Sequence, residues 1–235
     1  MSYAWAEWLV AVRRRRTFAL SVLVPAGMIA ILVFSAAPTF HASVVATVLF
    51  AFFGTFGSAI PIVRDLETGR FSRLLHAGAS PGALLSQRVL VSAALDFVQL
   101  FCASALILLT HNRSATPALL VALFATLLFS NTMGTWIGTL TRSIGEAALL
   151  SSVLAMLLLH AAGVFRTPVP GGWGATLQAF SPFAFLHNAI QASFGIVASP
   201  PTSRTISLVL VVAISFASLA ILPRATRLLS TSPRR

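Results

Sequence analysis

The stretch that decides the fold is Ser43–Val63, which reads SVVATVLFAFFGTFGSAIPIV. Its 21 residues include no charged side chain. Because the hydrocarbon core of a bilayer is about 30 Å thick, a helix needs roughly 20 apolar residues to cross it. The stretch therefore predicts a transmembrane helix, and the charged run that follows it predicts a loop outside the membrane.

On either side of this stretch, five further segments have a similar length and apolar character: Thr17–Ala36, Val89–Leu109, Ala118–Leu140, Ala147–Val164 and Ile206–Leu222. The composition agrees, because 57% of the 235 residues are hydrophobic and only 9% are charged. In soluble domains about a quarter of the residues are charged. The sequence therefore predicts an all-α integral membrane protein, a single domain over residues 1–235 with six transmembrane helices.

The placement of arginine predicts the orientation of the spans, since basic residues concentrate in cytoplasmic connections. One set of connections holds 13 arginines: Met1–Arg16, Arg64–Arg88, Thr141–Glu146 and Pro223–Arg235. The other set holds 3: Ala37–Ala42, Thr110–Pro117 and Phe165–Thr205. We therefore expect the first set and both termini to be cytoplasmic, in a cell membrane of the plasma or inner type.

Two segments are expected to lie at the membrane without crossing it. In Met1–Arg16 the apolar residues Trp5, Trp8 and Leu9 share one helical face, which is typical of an amphipathic interfacial helix. A cleaved signal peptide is disfavoured, because the apolar core that follows exceeds the usual length of about 7–15 residues.

The second such segment lies within Phe165–Thr205, where Ala175–Ala198 is apolar but interrupted at Ser181-Pro182. The uninterrupted part gives about 21 Å of helix, which is too short to cross. We expect helices that dip into the outer leaflet. A seventh span, which would move the C-terminal arginines outside, is the alternative.

The residue inventory argues against several kinds of chemistry. All 16 basic residues are arginine, so the chain has no lysine for an ATP-binding P-loop or a Schiff base. It has a single cysteine, Cys102, and its histidines lack the spacing of metal ligands. We expect no catalytic residue, no metal site and no nucleic-acid partner.

The most informative connection is RDLETGRFSRLL, residues 64–75. Phe71, Leu74 and Leu75 lie at positions i, i+3 and i+4, which predicts a short amphipathic helix with an exposed apolar stripe. Such a helix can dock into a groove of a soluble partner or pack against lipid. The residues alone leave both possibilities open.

This connection resembles the coupling region of type-2 ABC transporter permeases, the membrane subunits of one class of ABC exporter. Asp65 and Glu67 match the acidic pair of that family, Gly69 its glycine, Leu74 and Leu75 its leucines, and Arg88 the basic residue that opens the third span. Arg70 and Gly78 depart from the pattern, standing where threonine and proline are common. The amphipathic leader, the six spans and Ser181-Pro182-Phe183 before the last span are also similar.

The resemblance implies a permease that pairs with a second copy or a homologous permease, with two copies of an ABC ATPase subunit beneath. ATP and Mg²⁺ would be held by that ATPase, and this chain would bind no cofactor. The residues implied in ATPase coupling are Asp65, Glu67, Gly69, Arg70, Phe71, Arg73, Leu74 and Leu75. The apolar spans favour a hydrophobic or amphipathic substrate, such as a drug-like natural product or a lipid. A haem-exporter-type permease and a non-transporting membrane scaffold are the alternatives.

Four polar residues are predicted at membrane depth: Asp96, Gln99, Asn131 and His160. Such residues are costly in a bilayer and are candidates for a substrate path. The competing interpretation is that they form hydrogen bonds that lock the bundle. Glycines at Gly54, Gly57, Gly134 and Gly138 predict close helix packing, either within the chain or between subunits.

Overall fold

The computed structural model describes residues 5, 8–10, 13, 15–35, 38–110, 116–166, 171–196, 212, 213, 215, 217, 218, 220 and 221. Within these residues all regular secondary structure is helical. The eight bounded helices are α1 (Arg15–Phe34), α2 (Thr39–Glu67), α3 (Arg70–His76), α4 (Pro81–Thr110), α5 (Thr116–Leu140), α6 (Ile144–Ala161), α7 (Trp173–Phe180) and α8 (Pro182–Ser193).

Five of these helices, α1, α2, α4, α5 and α6, are long and apolar enough to cross a membrane. They correspond to the first five predicted spans, so the chain is an all-α, multi-pass membrane protein. The predicted sixth span, Ile206–Leu222, lies mostly outside the described residues, although its described positions are helical. The predicted interfacial helix Met1–Arg16 is also mostly outside them; Trp5, which is described, is helical and exposed.

The helices around the predicted coupling loop are longer than the sequence suggested. α2 continues past Val63 to Glu67, and α4 begins at Pro81 rather than Val89. The 29 residues of α2 span about 44 Å, more than the roughly 30 Å of a bilayer core. The predicted loop Arg64–Arg88 therefore contracts to residues 68–80, and Arg88 lies two turns inside α4 instead of opening it.

The centre of the bundle is the contact between α2 and α5. Gly134 on α5 lies against the backbone of Thr55, and a Cβ atom at Gly138 would lie 2.8 Å from the carbonyl oxygen of Ala59. Glycine lets two helices approach this closely because it has no side chain. The sequence left open whether these glycines pack within the chain or between subunits. In the structure Gly134 and Gly138 pack within the chain.

Apolar clusters occupy both ends of the bundle and leave a polar layer between them. The larger cluster includes Phe50, Leu100, Leu123 and Leu186. At the other end lie two smaller ones, which include Leu85 and Val89 of α4 and Val63 and Ile137 of α2 and α5. The stretches of α2, α4 and α5 between these clusters carry the polar side chains described below.

The helices α7 and α8 are separated at Ser181, where the sequence predicted a break. With 8 and 12 residues they are too short to cross a bilayer, which argues against a seventh span there. α8 packs on α2 and α5 at the end of the bundle opposite α3. The buried ring of His187 fixes it there through a 2.9 Å hydrogen bond between Nδ1 and Thr47 Oγ1.

Candidate functional site

Three buried polar side chains connect α2, α4 and α5 in the middle of the bundle. Ser58 donates a hydrogen bond to Oδ1 of Asn131, and Nδ2 of Asn131 donates to Oδ2 of Asp96 at 2.8 Å. The same amide nitrogen contacts the carbonyl oxygen of Leu127 on its own helix at 3.0 Å. We call Ser58, Asn131 and Asp96 the polar triad.

Gly57 provides the space that the carboxyl group of Asp96 occupies. A Cβ atom at Gly57 would lie 3.0 Å from Oδ1 of Asp96 and even closer to Oδ2. The carboxyl group therefore rests directly on the backbone of α2, because position 57 has no side chain. Of the two glycines noted in the second span, Gly57 thus packs against Asp96, whereas Gly54 faces Ser130 of α5.

Asp96 lines an open cavity of about 610 Å³ between α1, α2 and α4. One wall is aromatic and consists of Phe52, Phe53 and Phe56 of α2. Gln99, one turn beyond Asp96, contributes an amide, as the i+3 spacing predicted. The volume is in the range of small-molecule binding sites, which is about 300–1,000 Å³.

A second cavity of about 430 Å³ continues from the first toward α3. The two share Gly57, Gln99 and two hydroxyl residues of α1, Thr17 and Ser21. The second cavity ends among charged residues, namely Arg64, Asp65, Arg70 and Arg88. Together the two cavities form what we call the α1–α2–α4 groove, which runs from the helix corner at α3 to the carboxyl group of Asp96.

One ion pair holds the corner between α2 and α3 onto α4, and a second lies within the corner. Asp65 pairs with Arg88, whose side chain is only 8% exposed, and with Nη1 of Arg70 at 3.6 Å. Gly69 makes the turn between the two helices with φ +66°, a conformation that favours glycine. Asp65 and Arg70, which the family pattern assigned to ATPase coupling, thus make contacts within the chain.

The apolar stripe of α3 is partly covered by the chain itself, whereas the sequence predicted an exposed stripe. Phe71, Leu74 and Leu75 are half-buried, and Phe71 packs against the cluster of Leu85 and Val89. A short helix above a bundle buries its apolar face on the nearest apolar surface, and here α4 offers one. The exposed side chains at this corner are instead polar: Glu67, Ser72, Arg73 and His76.

The remaining predicted path residue, His160, lies apart from the groove. Its ring is exposed, contacts the carbonyl oxygen of Met156 at 3.3 Å, and lies 4.9 Å from the ring of Phe165. It lines neither cavity, whereas Asp96 and Gln99 do and Asn131 is bonded to Asp96.

Sequence reasoning missed Ser58 and the phenylalanine wall. Ser58 was detectable as a polar residue beside Gly57 in an apolar span, but the wall required knowledge of which face of α2 meets α1 and α4. Among the described residues, no group of three or more His, Cys, Asp or Glu side chains could hold a metal ion.

The described part of the chain is thus a helical membrane bundle with an open groove and a helix corner at one end. The chain matches the family model of the ABC-2 type transporter over residues 1–194, and it belongs to that family. It is therefore a permease component of an ABC transporter, and such a component is not itself catalytic. No curated protein and no solved structure matches the chain.

Proposed function

We propose that this chain is the membrane subunit of an ATP-driven exporter that moves a hydrophobic or amphipathic molecule out of the cytoplasm or the inner leaflet. Two copies, or this chain and a homologous permease, would form the transmembrane unit with two ABC ATPase subunits. The proposal is carried by the α1–α2–α4 groove, which joins a drug-sized aromatic cavity to the helix corner at α3.

The ATPase would hold ATP and Mg²⁺, and it would contact the exposed polar face of α3. Movement of α3 would then pass to the groove through the ion pair of Asp65 with Arg88. Asp65 lies at the end of α2, and Arg88 lies about 12 Å before Asp96 along α4. The pair therefore joins the two helices, α2 and α4, that form two walls of the groove. We take the bundle to have two arrangements. If the nucleotide-bound ATPase binds one of them more tightly, the population of permeases shifts toward that arrangement.

The same arrangement supports an orientation for the chain. Arg64, Arg70, Arg73 and Arg88 gather at the α3 end of the bundle, and arginine is enriched on the cytoplasmic side of membrane proteins. The α3 corner and the N-terminus would therefore lie in the cytoplasm, and α7 and α8 would lie in the outer leaflet of the cell membrane. A sixth span at Ile206–Leu222 would bring the C-terminus back to the cytoplasm.

Charge reversal on the exposed face of α3 tests the proposal. We expect Arg73→Glu to abolish co-purification of the ABC ATPase subunit, because Arg73 is exposed and faces away from the bundle. Arg142→Glu is the matched control, since Arg142 is an exposed arginine in a connection assigned to the same side of the membrane. It should leave co-purification and ATPase activity within about twofold of wild type.

An ATPase contact at α3 would be contradicted if both variants lost co-purification of the ATPase equally, or if neither lost it. If the folded wild-type chain recruits none of the ABC ATPase subunits of its own organism when expressed together with them, the non-transporting scaffold becomes the better account.

A further inference from the structure

We propose that the α1–α2–α4 groove binds a hydrophobic organic cation, with the carboxylate of Asp96 as its counter-ion and the phenylalanines of α2 as its aromatic wall. The inference rests on the proposed function, because it names the substrate class for the same groove. It follows from three features of the cavity.

The first feature is a carboxyl group without a cationic partner in the described part of the chain. Asp96 accepts one hydrogen bond, from Asn131, and the described ion pairs of carboxylates are those of Asp65. A carboxylate at membrane depth is costly unless a cation is near it. Asp96 is buried in the protein but lines the open cavity, so a bound cation can supply the missing charge.

The second feature is the chemistry of the opposite wall. Phe52, Phe53 and Phe56 line the cavity, and the rings of Phe52 and Phe56 stack at 5.7 Å between centroids. The faces of aromatic rings carry partial negative charge and attract cations, most strongly where water is excluded. A carboxylate with aromatic rings favours a cation that has apolar groups around its charge, such as a substituted ammonium.

The third feature is the distribution of charge along the groove. At the α3 end the arginines Arg64, Arg70 and Arg88 outnumber the one carboxylate, Asp65, whereas Asp96 stands in the middle of the bundle. The arginines repel a cation that approaches along the helix axis from the α3 end. The cavity between α1, α2 and α4 is open, and we expect a cation to enter it sideways from the inner leaflet, where hydrophobic cations accumulate near anionic lipid heads.

Two probe ions of nearly equal size and opposite charge test the inference. We would measure binding of tetraphenylphosphonium and tetraphenylborate to the purified full-length chain in lipid nanodiscs, after subtracting uptake by empty nanodiscs. We expect Asp96→Asn to weaken tetraphenylphosphonium binding by about tenfold or more and to leave tetraphenylborate binding unchanged or stronger. Glu146→Gln removes the same charge from an exposed position that lines neither cavity and lies outside the α3 corner, and it should change neither by more than about twofold.

Phe56→Leu keeps the polar triad intact and provides a second test if Asp96→Asn fails to fold. It should weaken binding of the cation about threefold, because it removes an aromatic face but retains apolar volume. The inference is overturned if the wild type shows no saturable binding of tetraphenylphosphonium, or if the folded variants bind it as tightly as wild type. The latter result would mean that Asp96 is neutral and serves only to hold helices together.

Failure here is distinguishable from failure of the proposed function. Loss of cation binding with normal ATPase recruitment would overturn the substrate class alone. Cation binding without any ATPase contact at α3 would overturn the coupling account alone.

Discussion

Asn131 joins three helices with a single amide, because its oxygen accepts from Ser58 and its nitrogen donates to Asp96. An amide has one acceptor group and one donor group, and here each of them bonds to a side chain of a different helix. The polar triad thus fixes the alignment of α2, α4 and α5 relative to one another, which apolar packing alone specifies less strictly.

Asn131→Leu is expected to lower the free energy of unfolding by about 2 kcal/mol, because two interhelical hydrogen bonds are lost. Ser130→Ala is the matched control. Ser130 is the neighbouring residue, is equally buried, and has a hydroxyl group with no hydrogen-bond partner among the described residues. Unfolding in mixed micelles measures both, and equal destabilisation by the two variants would contradict a special role for the triad.

His187 gives a second residue-scale prediction, because burial lowers its pKa from 6.5 to about 4. The unfolded chain therefore binds a proton at a higher pH than the folded chain does. Stability from the neutral ring is fully present above pH 6.5 and is lost as the pH falls from 6.5 toward about 4. The described polar contacts of the ring, Thr47 and Gln191, carry no charge that could offset this loss.

Thermal unfolding at about pH 7.5, pH 5.5 and pH 4.5 measures this dependence. We expect the melting temperature of His187→Asn to fall less steeply than that of wild type as the pH is lowered through the acid range. His76→Asn, which removes an exposed histidine of α3, is the control. An unchanged profile in His187→Asn would show that acid destabilisation arises elsewhere.

The lengths of the helices show what sequence pattern could and could not provide. Hydropathy located the first five spans, because a bilayer selects long apolar stretches. It placed the ends of α2 and α4 wrongly, because both helices continue outside the apolar stretch. The longer helices are favourable because they bring Asp65 of α2 and Arg88 of α4 into an ion pair. A hydropathy pattern does not show which residues that are distant in sequence will pair.

The apolar stripe of α3 shows a similar limit. The spacing of Phe71, Leu74 and Leu75 correctly indicated a short amphipathic helix, but a periodic pattern does not reveal which surface covers it. That surface is the start of α4 in the same chain. The side chains of α3 that stay exposed are the polar ones of Ser72, Arg73 and His76.

At the same scale, the close contact of α2 and α5 predicts a large effect from one added methyl group. We expect Gly134→Ala to destabilise the fold by about 1–3 kcal/mol, because its Cβ atom would strike the backbone of Thr55. Gly145→Ala is the control, since no atom lies within 4 Å of its added Cβ. A neutral Gly134→Ala in unfolding experiments would mean that the helices separate easily.

At the scale of the whole molecule, the groove is the feature that could least be predicted from the sequence, because its walls come from three helices that pack together only in the fold. Asp96 and Gln99 were identified as neighbours on one face of α4, but their placement opposite the α2 phenylalanines arises from how α1 covers the bundle. The surfaces of α1 and α6 expose many large apolar residues, including Leu20, Leu23, Leu149 and Leu157. These surfaces suit lipid or a second subunit, as expected for a multi-pass membrane protein.

The central claim is that nucleotide on a separate chain moves α3. In a Cys102→Ser background, a spin label at Ser72 would report the distance between the two α3 helices of the ATPase-bound complex in nanodiscs. Labels at Gly145, which is exposed at the start of α6, are the control. We predict that ATP with vanadate shortens the Ser72–Ser72 distance more than the Gly145–Gly145 distance. An unchanged Ser72 distance in a complex that contains two copies of this chain and hydrolyses ATP would contradict the account.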